Sequence, residues 1–260
     1  MSRTADNHRE RLGFRDGDKG THSSRTLMLT ELEQVLAATP PEASVADFRR
    51  VVVENNVLGK RTATTREHTV RKLKALYGLD PTIPVYRVMR RIWTDDAEGH
   101  PLLALLCAVA RDPLLRASVD VVLEAPLGSE VTLAKLAETV RPSFSASTRD
   151  AIVSHLVSTW AMAGFLTGTT RKIRTRAHAT PGTAAYALAL GFMEGGRGSL
   201  LLSTPWSRLL DRSPDEVLSL VQQAARYGWI EYRKAGDIMD IRVDGLFTET
   251  EKEWCDGQPG

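Results

Sequence analysis

One unit occurs twice in this chain, 64 positions apart, and it constrains the fold more than any other feature. Leu156–Leu166 reads Leu-Val, six residues, Gly-Phe-Leu; Leu220–Ile230 reads Leu-Val, six residues, Gly-Trp-Ile. In each copy an amphipathic helical stretch meets a glycine, the residue that most readily takes the left-handed backbone of a helix stop. An aromatic residue then opens a β-rich segment. The first copy runs on into Thr169-Thr170-Arg171-Lys172-Ile173-Arg174-Thr175-Arg176, and the second through Tyr232-Arg233-Lys234 to a turn at Gly236-Asp237. A helix, a glycine stop and a β-hairpin form the back half of a winged helix. Two copies predict two such modules.

Start signals elsewhere predict helices. A Ser or Thr followed three residues later by an acid recurs at Thr30/Glu33, Ser44/Asp47, Thr64/Glu67, Ser147/Asp150 and Ser213/Glu216, and Pro214 occupies a first helical position. Thr180-Pro181 repeats that start without the acid. Helices are predicted at about 30–38, 44–57, 64–77, 83–94, 101–111, 113–125, 132–140, 147–163, 181–194, 203–211 and 213–227. Short strands are predicted at about 165–168, 171–177, 229–235 and 238–243. The expected fold is mainly α: a helical N-terminal domain over 27–111 and two winged-helix modules, helix-turn-helix plus β-hairpin, over 112–180 and 181–245. Residues 1–26 are polar and read as a mobile arm, and 246–260 as an acidic tail that frays.

Charge is uneven along the chain, although the net formal charge is only +2. Gly59–Arg91 holds nine Lys/Arg against two Asp/Glu, and Arg141–Arg176 six against one, whereas Glu231–Asp256 holds four against eight. Local basic patches attract phosphate even when the total is near neutral. In the first module, Ser147–Ala163 is the expected recognition helix. Ile152, Val153, Leu156, Val157, Trp160 and Ala163 form its apolar stripe, and Ser147, Ala151, Ser154, Ser158 and Met162 its opposite side. Small residues there allow close approach to a groove, with Thr148 and His155 at the flanks; Arg149 wheels toward the core side, but from the first turn its long side chain can still reach a phosphate. Arg171, Lys172, Arg174 and Arg176 are expected on the wing, against phosphates. The face lacks Asn and Gln, so modest sequence specificity is expected. On the N-terminal domain, Lys60 and Arg61 precede a helix carrying Arg66, Arg71, Lys72 and Lys74, Arg87, Arg90 and Arg91 follow on the next, and these basic residues form a second candidate surface for nucleic acid or an acidic partner. The second module is acidic at Asp215, Glu216, Asp237, Asp240 and Asp244, which favours docking onto protein.

Signatures of catalysis are missing from the sequence. It contains no phosphate-binding G-x-x-x-x-G-K-[ST] loop, no nucleophile elbow and no H-E-x-x-H pattern. The six histidines lack ligand spacing, and Asp95, Asp96 and Glu98 read as an acidic loop rather than a Mg²⁺ site. Cys107 and Cys255 match no metal or redox spacing, and Cys107 lies in the apolar run Leu102–Ala110, as a small hydrophobe would. That run is far shorter than the roughly 18 apolar residues of a membrane span. With no hydrophobic leader at the N-terminus, the expected location is the cytoplasm. The expectation is a non-enzymatic protein without cofactor or metal, whose partner is double-stranded DNA. The alternatives are a scaffold whose winged helices dock on proteins, or a transcriptional regulator.

Two further stretches carry a family resemblance. Glu54-Asn55-Asn56-Val57-Leu58-Gly59-Lys60-Arg61-Thr62 with Thr64-Thr65-Arg66 resembles a signature of BrxA-type accessory proteins of BREX bacteriophage-defence systems. So do Leu102-Leu103-Ala104-Leu105 and Ala110-Arg111-Asp112-Pro113-Leu114-Leu115-Arg116. The resemblance covers mainly residues 50–116. It implies a DNA-binding, non-catalytic bacterial protein encoded with a methyltransferase and other defence subunits, which would be further partners. It supplies no catalytic residue.

Overall fold

In a computed structural model that describes residues 3–236 and 238–256, the chain is mainly helical, with two small two-stranded sheets. Met1 and Ser2 of the expected arm, Asp237 of the second turn and residues 257–260 of the acidic tail lie outside the described residues. The helices are α1 (Arg3–Leu12), α2 (Leu29–Ala37), α3 (Val45–Arg49), α4 (Ala63–Tyr77), α5 (Pro84–Trp93), α6 (His100–Arg111) and α7 (Pro113–Ala117). They continue as α8 (Val119–Leu123), α9 (Leu133–Glu138), α10 (Ala146–Met162), α11 (Pro181–Met193), α12 (Pro205–Arg208), α13 (Pro214–Arg226) and α14 (Glu249–Asp256). The strands are β1 (Leu166–Thr167), β2 (Ile173–Arg174), β3 (Glu231–Ala235) and β4 (Ile238–Arg242).

Local chemistry sets most of the starts. Ser44 with Asp47 and Ser213 with Glu216 form reciprocal capping boxes, and Thr180 with Thr183 forms a third around Pro181. Three expected caps are displaced. Thr62 rather than Thr64 caps α4, and Ser145 rather than Ser147 caps α10. Each of these hydroxyls offers the same bond two residues earlier and lets the helix gain an extra half-turn. Thr30 caps nothing, because α2 starts behind Met28, whose φ is +51°. Two expected helices are interrupted. The stretch after α3 widens into a π-turn at Arg50–Glu54, and 113–125 divides at Ser118, whose hydroxyl donates to the Leu115 carbonyl at 2.7 Å. The expected helix at 203–211 is reduced to the single turn α12, preceded by a 3-10 stretch, Gly198–Ser203.

The repeated unit has one physical explanation in both places. At the end of α10, Gly164 takes φ +85°, its N–H donates to the Ala161 carbonyl, and the Phe165 N–H donates to the Trp160 carbonyl. At the end of α13, Gly228 takes φ +75°, its N–H donates to Ala225, and the Trp229 N–H donates to Ala224. Both are Schellman stops, in which the residue after the glycine folds back onto the helix. That residue is aromatic because it enters the core: Phe165 packs edge-on to Trp160 at 5.1 Å, and Trp229 is buried.

Two helices that are apolar on every side form the centre. Leu102–Arg111 of α6 and Gly182–Met193 of α11 are buried along their whole length, as a helix without a polar face must be. α4, α5 and α7 pack on α6, while α11 packs on α5 and α6 and also on α12 and α13. The Tyr186 hydroxyl donates to the Val85 carbonyl at 2.9 Å, fixing α11 to α5. The hydrophobic core is continuous across the three expected domains.

Both chain ends depart from expectation. Within the expected arm, Leu12 and Phe14 are buried, the Arg15 N–H donates to the Ala110 carbonyl at 3.1 Å, and the 3-10 turn Thr21–Ser23 lies against α4, α7 and α10. The expected fraying tail forms α14, with Cys255 buried and Glu251 paired to Arg87. Polar composition suggested exposure at both ends, but a few apolar anchors and long-range polar pairs outweigh it.

Candidate nucleic-acid interface

The first repeat builds its surface from α9, α10 and the β1–β2 hairpin. β1 and β2 pair antiparallel, Leu166 with Arg174 and Thr167 with Ile173, and Glu130 bridges Ile173 from the other side. The Val131 N–H donates to the Lys172 carbonyl at 2.8 Å and the Arg174 N–H to the Ser129 carbonyl at 2.9 Å, so the segment before α9 forms a third edge of the hairpin. The apolar stripe of α10 faces inward as its spacing predicts: Ile152, Val153, Leu156, Val157 and Trp160 are buried.

The opposite face holds the expected site residues, unequally available. Ser147 and Ser154 are exposed, while Thr148, Arg149, His155 and Ser158 are half-buried. Ser147 and Thr148 hydroxyls lie 3.2 and 2.8 Å from the capping Ser145 hydroxyl, and the Ser158 hydroxyl donates to the Ser154 carbonyl at 2.9 Å. His155 Nδ1 is 2.9 Å from the His22 carbonyl, so this ring is anchored to the N-terminal segment. The Arg149 Nε is buried without a hydrogen-bond partner.

The four basic residues of the hairpin separate into different roles. Arg174 is a core residue and not a wing contact, which corrects the sequence expectation. Its side chain is 1% exposed, with Nε donating to the Val122 carbonyl at 2.8 Å, Nη2 2.8 Å from Asp211 Oδ2, and the guanidinium 5.1 Å from the Phe165 ring centre. An Arg surrounded by such partners satisfies its charge and donors inside the protein. Arg171 is 74% exposed but bonds Glu130 at 2.7 Å, and Lys172 donates to the Gly168 carbonyl at 2.6 Å. Arg176 is exposed, and it and Arg212 lie near enough to help hold the Glu216 carboxyl below its ordinary range, after the larger effect of the Ser213 hydrogen bonds.

Beside these residues runs a feature that sequence reading missed. A cleft of about 620 Å³ lies between α9, α10 and the hairpin, with Leu133, Ala137, Val153 and Val157 as its apolar wall and Ser154, Ser158 and Lys172 among its polar residues. Leu133 is 56% exposed at this wall.

The N-terminal basic residues lie on and before α4 and on α5, but Arg90 is buried with its guanidinium on the Leu36 and Thr39 carbonyls and Arg87 pairs with Glu251, which corrects their expected place on the surface. Arg61 and Arg71 are exposed, with no carboxylate within 4.0 Å among the described residues. Lys60 pairs with Glu31 at 3.0 Å, and Arg66 donates to the Val53 carbonyl at 2.7 Å, so these two also hold the fold together. Burial and the nearby Arg25 and Arg71 push the Lys72 ammonium below its ordinary pKa. Arg25 was assigned to the arm by composition and escaped notice; no local sequence signal places it beside α4.

Elsewhere, the acidic loop before α6 has a structural task. The Thr180 hydroxyl donates to Asp96 Oδ2 at 2.5 Å, at the start of α11. Burial raises the Asp96 pKa against this bond and one from the Gly99 N–H. The second module presents Tyr227, 65% exposed and stacked on Trp229 at 4.8 Å. Among the described residues, no helix is long and apolar enough to cross a membrane. The sequence matches no protein-family model and no curated protein.

Proposed function

We propose that this chain is a non-catalytic, double-stranded DNA-binding accessory protein that grips phosphates with modest sequence specificity. The resemblance over residues 50–116 supports its placement in a BREX-like phage-defence system. We read the first repeat as a winged helix: α7 and α8 lead, α9 and α10 form the helix-turn-helix, and the hairpin is the wing. The observation that carries the reading is the pair of small, exposed residues Ser147 and Ser154 on α10, which also exposes Asp150, set beside a hairpin segment bearing exposed Arg171 and Arg176. Helices with small outward residues approach a major groove closely, and flanking cations displace counterions from phosphates.

A second reading, a scaffold that docks proteins, is favoured by one observation. The cleft beside α10 is walled by Leu133, Val153 and Val157, an apolar surface that duplex DNA does not require. Binding to a random-sequence duplex between about 50 and 200 mM salt separates the two. A steep loss of affinity with salt is expected. Absence of binding at the lowest salt would leave the scaffold, and binding confined to one palindrome would make the protein a regulator.

A further inference from the structure

The N-terminal segment crosses the face of α4 and brings cations with it. His68, Arg71, Lys72 and Ala75 follow the i, i+3, i+4 and i+7 spacing that aligns side chains on one helix face. The Arg15 guanidinium donates to the Ala75 carbonyl at 3.2 Å, which places Arg15 at the C-terminal end of that face. The turn Thr21–Ser23 packs on α4, and Arg25 follows it with its guanidinium on the Ser24 carbonyl at 2.9 Å. Arg25 lies close enough to Lys72 and His68 that mutual repulsion adds to burial in lowering the pKa of both.

Nearby acids do not neutralise this group. Asp16 is held by Arg9 and Arg116, Asp18 by Arg141, and Glu67 by Arg49. Asp112 attracts Lys72, but less than burial, Arg25 and Arg71 act against its charge, and its carboxylate is buried and accepts the N–H groups of His22, Leu114 and Leu115. Among the described residues, Arg15, Arg25, Arg71, Lys72 and Lys74 have no carboxylate within 4.0 Å. A folded protein that assembles like charges from two distant segments, without counter-charge, leaves a site for an external polyanion. The same turn also packs on α10, and its His22 carbonyl accepts from His155 if that ring carries its proton on Nδ1. One short element therefore joins the α4 cations to the helix that carries the first candidate surface.

We infer that Arg15 and Arg25 of the N-terminal segment, with Arg71 and Lys72 of α4, form a second phosphate-binding surface that engages the backbone of the same duplex held at α10 and the hairpin. This rests on the DNA-binding reading and extends the footprint from one module to two. A longer footprint increases the number of counterions released, which salt dependence reads directly.

The test compares three full-length proteins on one random-sequence duplex: the native chain, Arg25→Ala/Arg71→Ala/Lys72→Ala, and Lys172→Ala/Arg176→Ala. Each neutralised contact removes about 0.9 from the slope of log affinity against log salt, so the α4 triple variant should lose about 2 to 3. A partner version, Arg25→Lys/Arg71→Lys, keeps the charge and should keep the slope even if a bond to Ser24 is lost. A native slope in the triple variant, with a reduced slope in the hairpin variant, overturns the second surface and leaves the DNA reading standing. No duplex binding by the native chain overturns both. If the triple variant does not fold, Arg71→Glu alone, at an exposed position, must still lower the slope, and a native slope there overturns the inference.

Discussion

His22 and Asp112, ninety positions apart, meet inside the protein: the His22 N–H donates to Asp112 Oδ2 at 3.0 Å, and its imidazole Nδ1 lies 3.0 Å from the same oxygen. The other Asp112 oxygen caps α7 through the Leu114 and Leu115 N–H groups. Across the ring, His22 Nε2 is 2.8 Å from the Thr159 hydroxyl of α10. One carboxylate thus fastens the N-terminal segment, α7 and α10 together. Asp112→Ala leaves at least three buried donors unpaired, and should lower unfolding free energy by about 3 kcal/mol or more. Urea denaturation measures this; an unchanged midpoint would show that the pair contributes little.

The same carboxylate predicts an acid limit. Burial acts to raise its pKa but is outweighed by the His22 ring and the N–H groups of His22 and Leu115, which hold the Asp112 carboxyl below its ordinary range. A depressed folded-state pKa gives stabilisation that is complete above the unfolded value, about 4, and is lost as pH falls through the folded value. The stability gap between the native chain and Asp112→Asn should therefore be full above about pH 5 and narrow below about pH 4. A gap that widens on acidification would reverse the assignment.

These contacts also mark what could be read from the sequence. The glycine stops at Gly164 and Gly228 were legible because a Schellman motif is built within six residues. The boxes at Ser44 and Ser213 were legible for the same reason. Thr64 and Ser147 misled because Thr62 and Ser145 satisfy the same local rule, and local rules do not choose between neighbours. The packed N-terminal segment was illegible: its polar His22 is buried only because Asp112 and Thr159 arrive from distant parts of the chain. Arg174 was misread similarly, since nothing in the basic run announces Asp211 as its partner.

Arg174 and Arg171 should respond very unequally to substitution. Arg174→Ala removes an ion pair whose Arg side chain is 1% exposed and leaves Asp211 without its partner. Loss of about 3 to 5 kcal/mol is expected, as for other buried pairs. Arg171→Ala breaks an exposed pair with Glu130 and should cost about 1 kcal/mol or less. Thermal unfolding of the two variants tests the distinction, and equal shifts would remove it.

At the start of α11, a buried acid and a glycine are matched. A Cβ added at Gly182 would run into the Asp96 carboxylate. Asp96 is already disfavoured as an anion by its burial, so Asp96→Asn should leave stability at neutral pH unchanged or higher, because the Thr180 hydroxyl can still donate to the amide oxygen. Gly182→Ala should destabilise by about 1 to 3 kcal/mol, the range for overpacking. Unfolding midpoints that move in the opposite order would contradict this account of the α11 start.

Ser154 offers the most direct test of what faces α10. It is exposed on the outer side of the helix, lines the cleft with Leu133 and Lys172, and makes no side-chain bond on which the fold depends. Ser154→Glu places a carboxylate where the DNA reading puts a negatively charged groove. Like charge at close range opposes binding, so affinity for a random duplex should fall about tenfold or more at low salt, with the unfolding midpoint preserved. A scaffold that uses the apolar wall at Leu133 predicts a different pair of results. Leu133→Glu would then abolish capture of the protein partner, while the native chain and Ser154→Glu alike would fail to bind the duplex at low salt. The two substitutions sit on different helices lining one cleft, and so distinguish a helix face that meets phosphates from a wall that meets another protein.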